Sequence, residues 1–260
     1  MIAPSPLAAD PEHYHDSLFH PRHLPSVSQF NRRIKTSSVE AILQKVHNDT
    51  AEIDRVSPLL LMDGKALVVS PVTKDAQATS GRIPGGFGKG YKLHTQVAED
   101  LRIICWKVDS LHVAEQSVAM EFLSKNPTPG CLLLADSNYD SAALYKATSK
   151  ADITYLTFLK GQKQVKNGKH HPRTLRQMGA ARRAAVNAWQ KHPALCQLVL
   201  HRRDAIERVY SALTCYGGGL GPLPAWVRTL ERVRRWVSAK IVFYHLRLQA
   251  RKAAKIEASP

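Results

Sequence analysis

The run CLLLADSNYDS, Cys131 to Ser141, joins three leucines to a single carboxylate, Asp136. An apolar run without alternation is what a strand covered on both faces of a parallel sheet looks like. Ligands of open α/β sheets gather at the carboxyl ends of such strands, so Asp136 stands where a metal ion or a substrate is held. Two further acids answer it from far along the chain, Asp63 in LLLMDGKALVV and Glu207 in HRRDAIERVY. An acid inside a strand is costly unless it is paired or binds a cation; the plainer alternative for Asp63 is an edge-exposed side chain ahead of a Gly turn. Arg203 and Glu207, one helical turn apart, read on their own as a surface ion pair of little energetic value. The glycines of GGFGKG, residues 85–90, invite a phosphate-loop reading. Strand-like YKLHTQVA follows them where a helix is required, and the reading fails.

The elements that must position these acids follow from periodicity. Leu59 to Ser70, Tyr91 to Val97 and Leu101 to Val108 read as three strands of an antiparallel meander. A helix from about His112 to Lys125 carries Ala114, Val118 and Phe122 on one face, and NPTPG stops it. The strand ending at Asp136, a short helix over 141–149 and a strand over 153–159 come next. Three antiparallel strands followed by helix-linked parallel ones predict a mixed α/β sheet flanked by helices. Further on, a helix from about Ala184, a continuous helix over Leu198–Leu213 and a last one over Ala225–Lys255 form a basic, helical C-terminal region, the last turning Trp226, Val233, Trp236 and Val237 inward. Ahead of the sheet, residues 1–25 read as a loose arm whose His13, His15, His20 and His23 could chelate a metal adventitiously. One or two short helices over 28–54 follow, with Ile34, Val39, Ile42, Leu43 and Val46 apolar and Ser37 or Ser38 as cap. The division expected is an arm and helical segment over 1–56 and a main domain over 57–260.

Composition narrows the classes. No apolar run approaches the roughly 20 residues of a membrane span, and no basic-then-apolar leader opens the chain, so a cytoplasmic location is expected. Cys105, Cys131, Cys196 and Cys215 are scattered, as reduced core thiols are. The net charge of +16 is unevenly spread. Residues 1–159 hold 16 Lys/Arg against 17 Asp/Glu, whereas 160–260 hold 21 against 4. Such an excess points to a polyanion, with nucleic acid the leading partner through counterion release. The basic connection from Lys160 to Arg183 reads as a strand or flap lying on phosphates.

Four pieces, in this order and spacing, carry a family resemblance: DGK at 63–65, GKGYKLH at 88–94, ADSNYDS at 135–141 and HRRDAIERVYSAL at 201–213. Together they resemble the RNase H-like core of DDE transposases of bacterial insertion sequences, of the insertion-sequence-four/five type, over about Leu59 to Tyr244. The resemblance implies that Asp63, Asp136 and Glu207 are a catalytic triad holding two Mg²⁺ ions, with Mn²⁺ as the alternative metal. Arg203 and Glu207 match the arginine and glutamate of the family's Tyr-Arg-Glu-Lys signature, while its tyrosine and lysine positions hold Leu200 and Thr214. It also implies that Arg203, Arg208, Lys92 and His94 sit against DNA phosphates. The partners would be the terminal inverted repeats and target DNA, with a homodimer in the synaptic complex, no membrane, and a nucleoid-associated site of action. Two-metal chemistry suits such acids, since hard cations prefer carboxylate oxygens and stabilise both oxygens of an in-line displacement. Alternatives are a nuclease of the same fold, a catalytically silent DNA-binding descendant, and an RNA-associated basic protein whose three acids do not cluster.

Overall fold

A computed structural model describes residues 26, 29, 32–33, 36–51, 56–160, 178–215 and 220–257. The arm over 1–25 with its four histidines, Ile34, and residues 161–177 of the basic connection lie outside the described residues. The chain divides into two compact units, 1–42 and 43–260. In the first, Ser26 and Gln29 exchange backbone-to-side-chain hydrogen bonds. Helix α1 (Ser37–Ala51) is opened by Thr36, whose Oγ1 accepts from Val39 N at 3.4 Å, one residue ahead of the serines expected to cap it. Its buried residues are His47 and Ala51, and Ile42 is exposed, so the apolar stripe expected there is not what α1 buries.

The second unit is built on one sheet. Strands β1 (Leu59–Val69), β2 (Thr79–Ile83), β3 (Gly86–Ala98), β4 (Ile103–Ser110), β5 (Leu132–Ala135) and β6 (Thr154–Thr157) run in the spatial order β2-β3-β1-β5-β6, with β4 also paired to β3. β3 lies antiparallel to both β1 and β4, whereas β1, β5 and β6 are parallel. This is the mixed α/β sheet flanked by helices that the order of strands and helices predicts. Leu59 to Met62 are buried without alternation because β1 is central and both its faces are covered. The glycine-rich stretch begins β3 and pairs with β2, a short strand that the meander of three lacks. Gly90 has a definite reason: a Cβ there would lie 2.2 Å from the Leu67 carbonyl oxygen of β1.

Helices cover both faces. On one, α2 (Glu115–Lys125) buries Val118, Ala119, Phe122 and Leu123 with α3 (Ala142–Lys150), packing on Leu60, Met62 and Leu133. On the other, α4 (Ala180–Lys191), α5 (Pro193–His201), α6 (Ala205–Cys215) and α7 (Leu230–Glu257) meet Leu59, Leu61, Leu93 and Leu134. The helix expected over 198–213 is interrupted by a 3₁₀ turn at Arg202–Asp204, where three successive charged residues leave the core stripe and make ion pairs. In α7, Val233, Val237, Ile241 and His245 recur every four residues and are buried. His245 Nε2 accepts from Ile103 N of β4 at 3.0 Å, which satisfies an edge-strand donor. Trp226 is 59% exposed, contrary to its expected inward position, and stands edge-on to Trp236. All four cysteines are free, three buried and Cys215 exposed.

Several C-terminal cations are spent on acids of the first 159 residues: Arg182 on Asp140, Arg202 on Glu99, Arg234 on Asp109 and Lys252 on Asp100. Part of the uneven charge is thus internal complementarity.

Gly90→Ala forces its methyl against β1 backbone, which has no rotamer to yield. A loss of about 1–3 kcal/mol or more is expected from such overpacking, read as a lowered urea midpoint at unchanged slope.

Candidate active site

The parallel register of β1 and β5 decides the site. Its last pair is Met62 with Ala135, and the next residue on each strand is an acid, Asp63 and Asp136. Neighbouring strands lie about 4.8 Å apart, so two residues 73 positions apart in the chain are brought side by side. β5 ends there, and Asp136 turns out of the sheet into a 3₁₀ turn over Ser137–Tyr139. Its Oδ1 accepts from Asn138 N (2.9 Å) and its Oδ2 from Asn138 Nδ2 (3.1 Å). Thr157, at the end of β6, donates its hydroxyl to the Asp136 carbonyl.

β1 continues past Asp63, which projects toward α6. Arg203 Nη1 donates to Asp63 Oδ2 at 3.1 Å, with the two side chains 14% and 18% exposed. Gly64 N donates to Asp63 Oδ1 at 2.8 Å. Tyr210 OH donates to the Asp63 carbonyl at 2.8 Å, and so accepts from Thr95 Oγ1, also at 2.8 Å. One phenol thereby ties α6 to the two strands that hold the acid.

A residue not singled out from sequence joins them. Glu115, the first residue of α2, accepts from Lys92 Nζ at 2.8 Å through Oε1, and its Oε2 is buried with no hydrogen-bond partner among the described residues. A Cβ on Gly64 would come within 3.1 Å of both Glu115 Oε1 and Lys92 Cδ. The missing side chain at Gly64 is what lets this pair approach. A signal was available: a lysine at an inward position of a central strand needs an acid beside it, and the first turn of the following helix is a favourable place for one.

Burial pushes the Asp63 carboxyl up to about 6, with the charges of Asp136 and Glu115 adding to the rise and Arg203 opposing it. Asp136 is raised as well, by burial first and then by Glu115, against Arg203 and Lys160. Two carboxylates resisting ionisation beside a third mark a place that favours added positive charge.

The other expected residues are placed differently. Glu207 is exposed in the first turn of α6, four residues after Arg203 and three before Tyr210, on the helix face those two define. It makes no hydrogen bond or ion pair to Asp63 or Asp136 among the described residues. Arg208 points to another side of α6 and lines a cavity of about 180 Å³ with Leu101, Tyr244 and Arg247. Lys92 is engaged by Glu115. His94 is 1% exposed, and burial with the nearby Lys92 and Lys107 charges pushes its pKa down to about 3. A neutral ring inside the sheet does not reach a phosphate, because β3 is paired on both sides and helices cover it. Among the described residues no three His, Cys, Asp or Glu side chains stand together as a ready-made metal site. The donors present do fit a hard divalent cation by type: carboxylate oxygens, one of them shielded and unpartnered.

An acid whose pKa is raised on folding holds its proton more tightly in the folded protein than in the unfolded chain. Stability therefore falls as pH rises through the window from about 4 to about 6, and the cost persists above it. Asp63→Asn removes that cost. Urea denaturation is expected to show the variant gaining about 1–3 kcal/mol on the wild type between pH 4 and 7; parallel pH profiles would contradict the assignment.

No curated protein matches the sequence. Among solved structures, a chain of a piggyBac transposase synaptic complex with hairpin DNA is 11% identical with a TM-score of 0.47, over 79% of this chain and 49% of that one. A chain of a pre-cleavage Mos1 transpososome is 10% identical with a TM-score of 0.27, over 80% of this chain and 62% of that one. The chain thus spans about half the length of the first of these. The family model described as transposase DDE domain matches residues 54–219. That stretch is more than half of the chain, runs from just before β1 to just past α6, and contains Asp63, Asp136, Arg203 and Glu207: the protein belongs to the DDE transposase family.

Proposed function

We propose that the protein is a DNA transposase that cleaves strands at the ends of an insertion sequence and joins them to target DNA. The observation that carries this reading is the β1–β5 register, which sets Asp63 beside Asp136 in a chain of the DDE family. Asp63, Asp136 and Glu207 would hold two Mg²⁺ ions, or Mn²⁺, with Glu207 on the helix face that also carries Arg203. Metal bound there supplies an activated nucleophile and charge neutralisation at phosphorus. The chain's own residues do the rest. Asp136, at a strand end, would be one of the residues that hold the metal. Asp63, held by Gly64 N and by Tyr210 on its carbonyl, keeps its carboxylate fixed in direction. Arg203 sits where it can exchange Asp63 for a phosphate oxygen. Arg208, Lys92 and the basic C-terminal helices would follow the DNA backbone, and a homodimer would bring two ends together. The end sequences and target would be set outside this acid cluster.

A second reading, a catalytically silent DNA-binding descendant, is favoured by Arg203 already occupying Asp63 while Glu207 stands exposed. A plasmid carrying the coding region with its flanks separates the two. Mg²⁺-dependent cleavage is expected, falling by about 10³-fold in Asp63→Asn, Asp136→Asn or Glu207→Gln with DNA binding kept; binding without cleavage in the wild type would establish the silent reading. Joining of pre-cut ends distinguishes a transposase from a nuclease of the same fold.

Electrostatic holding has its own signature. With about six to ten phosphate contacts, affinity for duplex DNA is expected to fall by roughly 10³ to 10⁵ between 50 and 200 mM salt, and a flat titration would refute it.

A further inference from the structure

We infer that Glu115 is a further metal-holding acid of this site, and that Lys92 is the placeholder which occupies it until a divalent cation arrives. The inference rests on the cation-dependent reading above and deepens it. Three features of Glu115 carry it. Its carboxylate lies against β1 backbone beside Asp63, in space that exists only because residue 64 has no side chain. Its charge adds to the upward shift of both Asp63 and Asp136, the pair that the strand register brings together. Finally, only one of its oxygens is used. Oε1 takes the Lys92 ammonium, and Oε2 is shielded from solvent with no partner among the described residues.

A lysine–glutamate pair that served packing alone would leave its second oxygen in water or bonded to backbone, since a shielded unpartnered carboxylate oxygen is expensive. A hard cation with its retained waters satisfies such an oxygen. Each of these acids already carries one cation: Lys92 stands on Glu115 and Arg203 on Asp63. Two single charges thus hold the acids together where more positive charge is called for. Displaced from Glu115, Lys92 is left inside the site, free to meet a phosphate oxygen. Glu115 also differs from Glu207 in being buried, with a side chain only 11% exposed.

The test is Mn²⁺ binding to the full chain without DNA, followed by calorimetry and by loss of the free-ion paramagnetic resonance signal. The wild type is expected to bind, Glu115→Gln to bind at least tenfold more weakly, and Lys92→Met, which removes the competing ammonium, to bind more tightly. Glu121→Gln, an acid of the same helix paired with Lys107 and Lys125, controls for net charge and should bind as the wild type does. Equal affinity in Glu115→Gln, with binding lost in Asp63→Asn and Asp136→Asn, would overturn the role of Glu115 and leave the proposed function standing. No binding in the wild type would overturn both. Should Glu115→Gln fail to fold by circular dichroism, Lys92→Met decides alone: tighter binding supports the placeholder, weaker or unchanged binding overturns it.

Discussion

Two carboxylates set side by side at the heart of a sheet are a liability in a folded protein, and the arrangement around them answers that liability. Asp63 and Asp136 are adjacent because β1 and β5 run parallel in a register that makes each acid the residue after the last pair. Burial and mutual repulsion oppose their ionisation. Arg203 from the 3₁₀ turn ahead of α6, Lys92 through Glu115 from β3 and α2, and the Asn138 donors on Asp136 each offset part of the cost. None of these contacts is needed for a hydrophobic core, and the leucines around them would pack as well against neutral residues. Retaining acids in such a place costs stability, as sites built for chemistry do.

The same cost explains why α6 is fastened as it is. Tyr210 is buried and uses its hydroxyl twice, toward the Asp63 carbonyl and Thr95, so the helix carrying Glu207, with Arg203 in the turn just ahead of it, is indexed to the strand carrying Asp63. The 3₁₀ turn at Arg202–Asp204 lets successive charged side chains leave in different directions, one to Glu99, one to Asp63 and one toward His201. Glu207 follows on the exposed side of that face. In the proposed reading Glu207 would be the third acid to hold the cations, and Glu115 a further one.

The charge of the molecule takes two parts. The near-neutral stretch over 1–159 supplies acids on loops and strand ends, and cations of 160–260 fold back onto several of them. Arg182, bidentate on a fully buried Asp140 side chain, pins α4 beside the loop that presents Asp136. These pairs are architecture and are unavailable to a polyanion unless they break. The remainder, with Arg208 at its cavity and α7 outward, is what DNA would meet.

Much of this was legible in the chain. The leucine run before Asp136 and the acid within an apolar strand mark a candidate site, because strand burial is a local property of sequence, whereas Arg203 and Glu207 read as an ordinary ion pair until the family resemblance gave them a role. The central strands, α2, α3 and β6 followed within a few residues for the same reason. Glu115, the burial of His94, the exposure of Trp226 and the break ahead of Ala205 were not legible. Each depends on what packs against the residue from a distant element, and alternation along one strand does not tell which face a helix will cover. Sequence by itself named Asp63, Asp136 and Glu207 as candidate acids and set the kind of sheet that carries them. Only the tertiary structure decided that β1 and β5 pair in the one register that sets Asp63 beside Asp136, since a one-residue slip would turn an acid to the opposite face.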